Sequence, residues 1–326
     1  MDLNGQVILV TGGTGSFGRK FVEVVLGRYQ PRKLIIFSRD ELKQSEMRQQ
    51  FPDAGSSPMR YFVGDVRDKE RLYRAMNGVD IVVHAAALKQ VPSCEYNPFE
   101  AVKTNVIGAQ NVIDAAIDCN VKKVMAISTD KAVNPVNIYG ATKLCAEKMF
   151  VDGNSYSSEG RCRFACSRYG NVVGSRGSVL PVFREQAKKG MVTITDERMT
   201  RFWLTLQQGV EFVINCIGLM HGGEVFVPKI PSVRITELAR VIAPKARMEF
   251  VGIRPGEKIH ESLIAEDETR YTVELDDMFV IGPPDPSWGR TYFPAGRALK
   301  DGFRYTSDNN PHWLTTEELQ VLVEKA

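Results

Sequence analysis

The sequence predicts an α/β fold, a doubly wound parallel sheet of the Rossmann type with a smaller C-terminal substrate-binding lobe. Three observations carry that reading. Short apolar runs alternate with longer amphipathic stretches through the first 170 residues. The first run opens directly into Gly12-x-x-Gly15-x-x-Gly18, and the residues after it, from Phe21, have the pattern of a helix. The fifth run, residues 124–128, ends in Ser128-Thr129-Asp130-Lys131, with Tyr139-x-x-x-Lys143 close behind.

Residues 6–11 form the first predicted strand. Small residues after it, Gly12, Gly15, Ser16 and Gly18 around Phe17, let the backbone turn tightly and approach a pyrophosphate at a helix N-terminus. The second strand, residues 33–37, ends in Ser38, Arg39 and Asp40, with Lys43 one helical turn on. An NAD-selective site places a carboxylate at the very end of this strand. Here a serine and an arginine come first, which favours NADP over NAD, with Asp40 still available to a ribose. The third strand, residues 61–67, carries Asp65 and Val66 at its tip, where folds of this kind meet an adenine ring. The fourth, residues 80–87, ends in Ala85, Ala86 and Ala87, small enough for a ribose to lie against the backbone. His84 inside it reads as a core histidine. Lys89, just beyond, is placed to reach a phosphate or a sugar.

Residues 98–120 carry apolar side chains at helical spacing, interrupted on the inward side by Asn105. A buried asparagine needs partners, from a cofactor or from a link between neighbouring strands. The Tyr139 and Lys143 side chains, four apart, share a helix face. A nearby ammonium favours phenolate, so the pair suits proton exchange with a hydroxyl whose carbon gives up a hydride. Thr129 is placed to hold the same hydroxyl. Asp130 and Lys131 add a carboxyl and an amine for a second pair of proton transfers, at the carbons next to an oxidised one, provided the lysine pKa is depressed.

Beyond Asn171 the alternation breaks down, and arginine, glycine and proline punctuate the chain. The expected division is 1–170 for the dinucleotide domain, also recruiting about 203–228, and 171–326 for a discontinuous lobe. Helices are expected over 207–219, 235–243 and 315–325, and a strand over 224–228. Arg176, Arg184, Arg201 and Arg254 gather in this half, and arginine forks suit a diphosphate. Arg254, in Arg-Pro-Gly-Glu-Lys, is the preferred candidate.

A formal charge of +3 on 326 residues argues against nucleic-acid or membrane-surface binding. Six scattered cysteines without a second ligand pair predict reduced thiols and no metal site. The N-terminus enters a strand without a basic and apolar leader, so a cytoplasmic address is expected.

The segments Gly-Gly-Thr-Gly-Ser-Phe-Gly, His-Ala-Ala-Ala-Leu-Lys-Gln-Val-Pro, Ser-Thr-Asp-Lys-Ala-Val and Ile-Tyr-Gly-Ala-Thr-Lys together resemble the extended short-chain dehydrogenase/reductase superfamily. More narrowly the chain is similar to the configuration-inverting UDP-N-acetylglucosamine 4,6-dehydratases that open pseudaminic acid synthesis for flagellin glycosylation. The resemblance runs from about Asp2 through the Arg-Pro-Gly-Glu-Lys loop. It implies a redox-neutral dehydration inverting C5, with Lys131 as the C5 base, Asp130 as the acid at the C6 hydroxyl and Tyr139 accepting a proton beside Lys143. It also implies a tightly held NADP, sugar-nucleotide contacts from Lys89, Asn171, Val172, Thr195, Arg201, Arg254 and Glu257, and a homo-oligomer, with a hexamer the expected form. Two alternatives share these motifs, a nucleotide-sugar 4-epimerase and a capsule- or lipopolysaccharide-type dehydratase/epimerase. A third is a cofactor-sensing protein without turnover.

Overall fold

The computed structural model describes residues 3–157, 160–174, 179–283 and 293–324. The first half alternates strand and helix: β1 (Val7–Thr11), α1 (Ser16–Arg28), β2 (Lys33–Ser38), α2 (Glu41–Gln50), β3 (Met59–Val63), α3 (Lys69–Met76) and β4 (Ile81–His84). Then come α4 (Val91–Tyr96), α5 (Pro98–Val102), a π-helical turn over Lys103–Ile107, α6 (Gly108–Asp118), β5 (Lys123–Thr129), α7 (Ile138–Asp152) and β6 (Arg163–Tyr169). The second half is more broken: β7 (Asn171–Val172), α8 (Val179–Lys188), β8 (Met191–Ile194), β9 (Thr200–Leu204), α9 (Leu206–Leu219), β10 (Val225–Pro228), β11 (Ser232–Arg234), α10 (Ile235–Ile242) and β12 (Arg247–Phe250). The chain ends with β13 (Ser262–Ile264), β14 (Thr272–Glu274), β15 (Met278–Ile281), β16 (Arg297–Ala298), β17 (Tyr305–Thr306) and α11 (Thr316–Glu324).

Among the described residues one sheet runs β16-β14-β15-β10-β6-β5-β4-β1-β2-β3. From β3 to β10 neighbours are parallel, whereas β15, β14 and β16 pair antiparallel at the far edge. The order reverses between β1 and β4, which opens a crevice at the strands' C-terminal ends. Strands β1 and β4 are buried throughout and apolar up to their last residues, Thr11 and His84, as expected where helices cover both faces. Side-chain caps set where helices begin: Asp40 accepts from Lys43 N at 3.0 Å, and Asn137 accepts from Gly140 N at 2.8 Å.

A second core gathers Leu180, Phe183, Trp203, Val233, Leu238 and Leu319 around β8, β9 and β11, and forms the smaller lobe. A boundary at 170/171 leaves β14 to β16 on the lobe side, although they are hydrogen-bonded into the main sheet. Their short, antiparallel, edge-strand pattern does not follow the strand–helix alternation from which that boundary was drawn.

Three further expectations need correction. The third strand is Met59–Val63, so Asp65 and Val66 lie in the loop beyond it. The fourth ends at His84, leaving Ala85 to Ala87 in extended backbone outside the ladder. The segment 98–120 is two α-helices with a π turn between them, because an asparagine at 105 is turned inward to bind backbone.

Candidate active site

Along the crevice runs a cleft of ≈ 1230 Å³, and both lobes line it. At its floor, Gly12 has φ +65°, and a Cβ there would stand 2.8 Å from Ala86 N. Glycine is therefore required both by conformation and by the approach of the β4 end. A Cβ on Gly18 would meet Gly13 O at 2.2 Å, so Gly18 serves helix-to-turn packing and does not line the cleft. Gly12, Gly15, Ser16 and Phe17 do line it, at the N-terminus of a 13-residue helix without acidic residues in its first turn. This is a cradle that any side chain would fill, and it fits a dinucleotide pyrophosphate.

At the β2 end, Ser38, Arg39, Asp40 and Lys43 border the same cleft, as do Asp65, Val66, Ala85, Ala86, Ala87 and Lys89. Arg39 Nη1 lies 3.8 Å from Asp65 Oδ2, and the Lys43 ammonium pairs with Asp40. Asn105 stands behind the lining. It accepts from Leu88 N at 2.8 Å, and donates to Leu88 O and to Thr142 Oγ1, both at 3.0 Å. It ties the loop after β4 to α7, so its partners are protein groups of a loop and a helix and not the neighbouring strands.

The centre of the cleft is a polar cluster at the end of β5. Thr129 Oγ1 donates to Asp130 Oδ1 at 2.9 Å, and Thr129 and Tyr139 border the same cleft. Lys131 Nζ lies 3.1 Å from Asp130 Oδ1 and 3.3 Å from Glu261 Oε1. Asp130, Tyr139 and Lys143 are buried, and Lys131 points into the cluster with its side chain 25% exposed. Burial pushes the Asp130 carboxyl above the usual range, which favours the protonated acid. Burial also works to lower Lys131, but Asp130 and Glu261 outweigh it and hold the lysine above its ordinary value. The depressed amine expected from sequence is thus absent, because a second carboxylate arrives from a distant segment.

The Tyr139 phenol is pushed up to about 12 by burial, with Lys131 the cation acting against that shift. Lys143 instead donates to Ile127 O at 2.7 Å, and burial depresses its own pKa. The expectation that Lys143 acidifies the phenol is therefore corrected; Lys131 has that part in this arrangement.

On the lobe side Asn171, Val172, Thr195, Arg254 and Glu257 line the cleft. Arg201 lines it too, but its donors go to Thr200 O at 2.7 Å, Ile259 O and Lys258 O at 3.0 Å. It braces the 258–261 segment and has no fork left for a diphosphate. Arg184 does not border the cleft and donates to Val323 O at 2.7 Å. Arg176 lies outside the described residues. Asn171 Oδ1, Trp203 Nε1 and Glu257 Oε2 are buried, border the cleft and lack a hydrogen-bond partner among the described residues, as expected where a polar ligand completes them. Glu261, Lys258 and Trp203 were missed from sequence. The only signal was the run of charges in Glu257-Lys-Ile-His260-Glu261.

Fold and site together define a Rossmann-type enzyme with a short-chain dehydrogenase/reductase centre at the floor of a two-lobed cleft. Residues 8–283 match the family described as polysaccharide biosynthesis protein, and the chain belongs to that family. It is 52% identical, over 98% of each chain, to the UDP-N-acetylglucosamine 4,6-dehydratase (inverting) of Campylobacter jejuni strain 81-176. It is 41% identical to the UDP-glucose 4-epimerase of Rickettsia conorii, over 98% of this chain and 95% of that one. Among solved structures, Pen from Bacillus thuringiensis superposes with a TM-score of 0.91 at 39% identity, covering 100% of this chain and 99% of that one.

Proposed function

We propose that this enzyme removes water from UDP-N-acetylglucosamine across C5 and C6, by way of a C4 ketone, with inversion at C5. The product is UDP-2-acetamido-2,6-dideoxy-β-L-arabino-hex-4-ulose. The observation that carries the reading is the convergence of Asp130, Lys131 and Tyr139 in one buried cluster at the floor of a two-lobed cleft. An epimerase needs the phenol but has no use for the acid and the amine beside it.

Bound at the glycine turn, a nicotinamide dinucleotide supplies a hydride acceptor for C4 early in the cycle and a donor for C6 late in it. Tyr139 takes the proton of the C4 hydroxyl and releases it to solvent, from which one proton returns to C5 on the face opposite Lys131. The ketone then acidifies the C5 hydrogen, which Lys131 removes once its own proton has passed to Asp130 across their 3.1 Å contact. Asp130, carrying that proton, donates to the departing C6 hydroxyl, and water leaves. Arg39 and Lys43 beside the ribose position support NADP as the dinucleotide. Arg254, Glu257, Asn171, Val172, Thr195 and Lys89 supply polar and apolar contacts for the sugar nucleotide.

A place at the head of pseudaminic acid synthesis for flagellin glycosylation accords with the inverting relatives. Exposed Tyr96, Phe99 and Ile107 on neighbouring helical turns favour a homo-oligomer, for which a hexamer is the form to test by sedimentation. No helix among the described residues is long and apolar enough to cross a membrane, and buried free thiols at Cys94, Cys162, Cys166 and Cys216 suit a reducing compartment.

The test is mass spectrometry and proton NMR of a reaction with UDP-N-acetylglucosamine. Loss of one water with solvent deuterium at C5 is expected. An isomer of unchanged mass would establish the 4-epimerase reading, which the Rickettsia relatives favour.

A further inference from the structure

Glu261 is brought to the catalytic cluster from a segment 130 positions beyond Lys131 in the chain. That segment is firmly seated. Thr200 N and Arg201 Nη1 donate to Ile259 O at 3.1 and 3.0 Å, and Glu261 N donates to Ser307 Oγ at 2.9 Å. The carboxylate is almost wholly buried, and its Oε2 has no hydrogen-bond partner among the described residues. Other charges facing it and Lys131 are Asp130 from the β5 end, Arg201 Nε at 3.7 Å, Lys258 Nζ at 3.9 Å and Lys89 across the cleft.

Proton counting gives this arrangement a purpose. In the reaction proposed above, Asp130 loses a proton to the leaving hydroxyl while Lys131 gains one from C5. Because the configuration inverts, Lys131 does not hand that proton back to the face from which it came. Each turnover therefore converts a carboxylic acid and an amine into a carboxylate and an ammonium, with the total number of protons on the pair unchanged.

We infer that Glu261 is the positioning residue for this step. Its carboxylate clamps Lys131 Nζ between itself and Asp130, and stabilises the ammonium as the C5–H bond breaks. The 3.1 Å Lys131–Asp130 contact then resets the pair: an N–H bond breaks, an O–H bond forms on Asp130, and the amine is free again. Burial works towards the neutral acid and amine, and against it stand the Asp130 and Glu261 charges that hold the ammonium.

The inference rests on the dehydratase reading, and the two fail differently. If the unaltered enzyme releases no water from UDP-N-acetylglucosamine, the dehydratase reading falls. Given an active enzyme, Glu261→Gln is expected to slow water loss and C5 deuterium incorporation together, by roughly 100-fold. Reduction of the bound nicotinamide in a single turnover should stay within a few-fold of normal. With one negative charge gone, both limbs of the pH–rate curve should move to lower pH. In a Lys131→Ala background the same change should cost nothing more. A Glu261→Gln enzyme with normal C5 exchange, or an equal loss with and without Lys131, overturns the proposal. Should Glu261→Gln fail to fold, Glu261→Asp keeps the charge. It should retain the wild-type pH limbs while turning over more slowly, and displaced limbs there would count equally against the idea.

Discussion

The Lys143 ammonium donates to the carbonyl of Ile127, two residues before Thr129, and so fastens α7 to the end of β5. The Tyr139 phenol on the same helix is left to the field of Lys131. Two lysines thus divide work that the Tyr-x-x-x-Lys spacing assigned to one. Tyr139→Phe should cut turnover roughly 10³-fold and abolish reduction of bound nicotinamide. Lys131→Met should move the titration of the phenol more than Lys143→Met does, while Lys143→Met should chiefly weaken cofactor retention. Rapid-mixing absorbance across a pH series reads both.

Asp130→Asn removes the acid proposed for the C6 hydroxyl but keeps the shape of the side chain. Water loss should fall roughly 100- to 1000-fold. Oxidation at C4 should survive, because Thr129 and Tyr139 are untouched. Accumulation of reduced nicotinamide without loss of mass is the expected signature.

Arg39 has a carboxylate 3.8 Å away, yet its side chain is more than half exposed and can turn to a phosphate at the mouth of the cleft. Arg39→Ala should lower the preference for NADP over NAD about tenfold, equivalent to losing one charge-assisted hydrogen bond of about 1.5 kcal/mol. Calorimetric titration of the two dinucleotides checks it. Unchanged selectivity would remove Arg39 from the site.

Arg168 is 1% exposed, and its Nη2 reaches Glu147 at 2.5 Å and Glu268 at 2.8 Å, while Nη1 reaches Leu263 O at 2.9 Å. Ser128 Oγ donates to Glu147 Oε2 at 2.6 Å, so the network joins the catalytic strand to the segment that follows Glu261. Arg168→Met would leave two carboxylates facing each other in the interior. A cost of roughly 3–5 kcal/mol follows, visible as a lower urea midpoint.

His84 is completely buried against Thr11 Oγ1, at 2.8 Å, and against the Phe150 ring. Burial, aided by the Lys143 charge, lowers its pKa from 6.5 to about 3. The unfolded chain takes up this proton below about pH 6.5, whereas the folded one resists until about pH 3. The stability it contributes is present above the unfolded value and is lost as pH falls through that window, by an amount on the order of 4 kcal/mol. His84→Asn should flatten the decline of the denaturation midpoint between pH 6.5 and 4. An equally steep decline in the variant would assign the acid sensitivity elsewhere.

Much of this enzyme could be read from one dimension. A dinucleotide fold needs its glycines, its buried strands and its Thr129-to-Lys143 constellation within a short stretch of chain, so spacing reveals them. Asn105, Asp130 and Lys131 were recognisable because an inward polar residue must be answered by something. The state of those residues was not recognisable. Whether Lys131 starts as an amine or an ammonium depends on Glu261, 130 positions away, and on Arg201 and Lys258 beside it. Arg201 looked like a diphosphate fork until its donors were seen to hold the loop that carries Glu261. Electrostatic fields act through space, and only the folded chain decides which charges meet. The sequence determined the fold class and the chemistry available at the β5 end; tertiary structure decided which proton sits where.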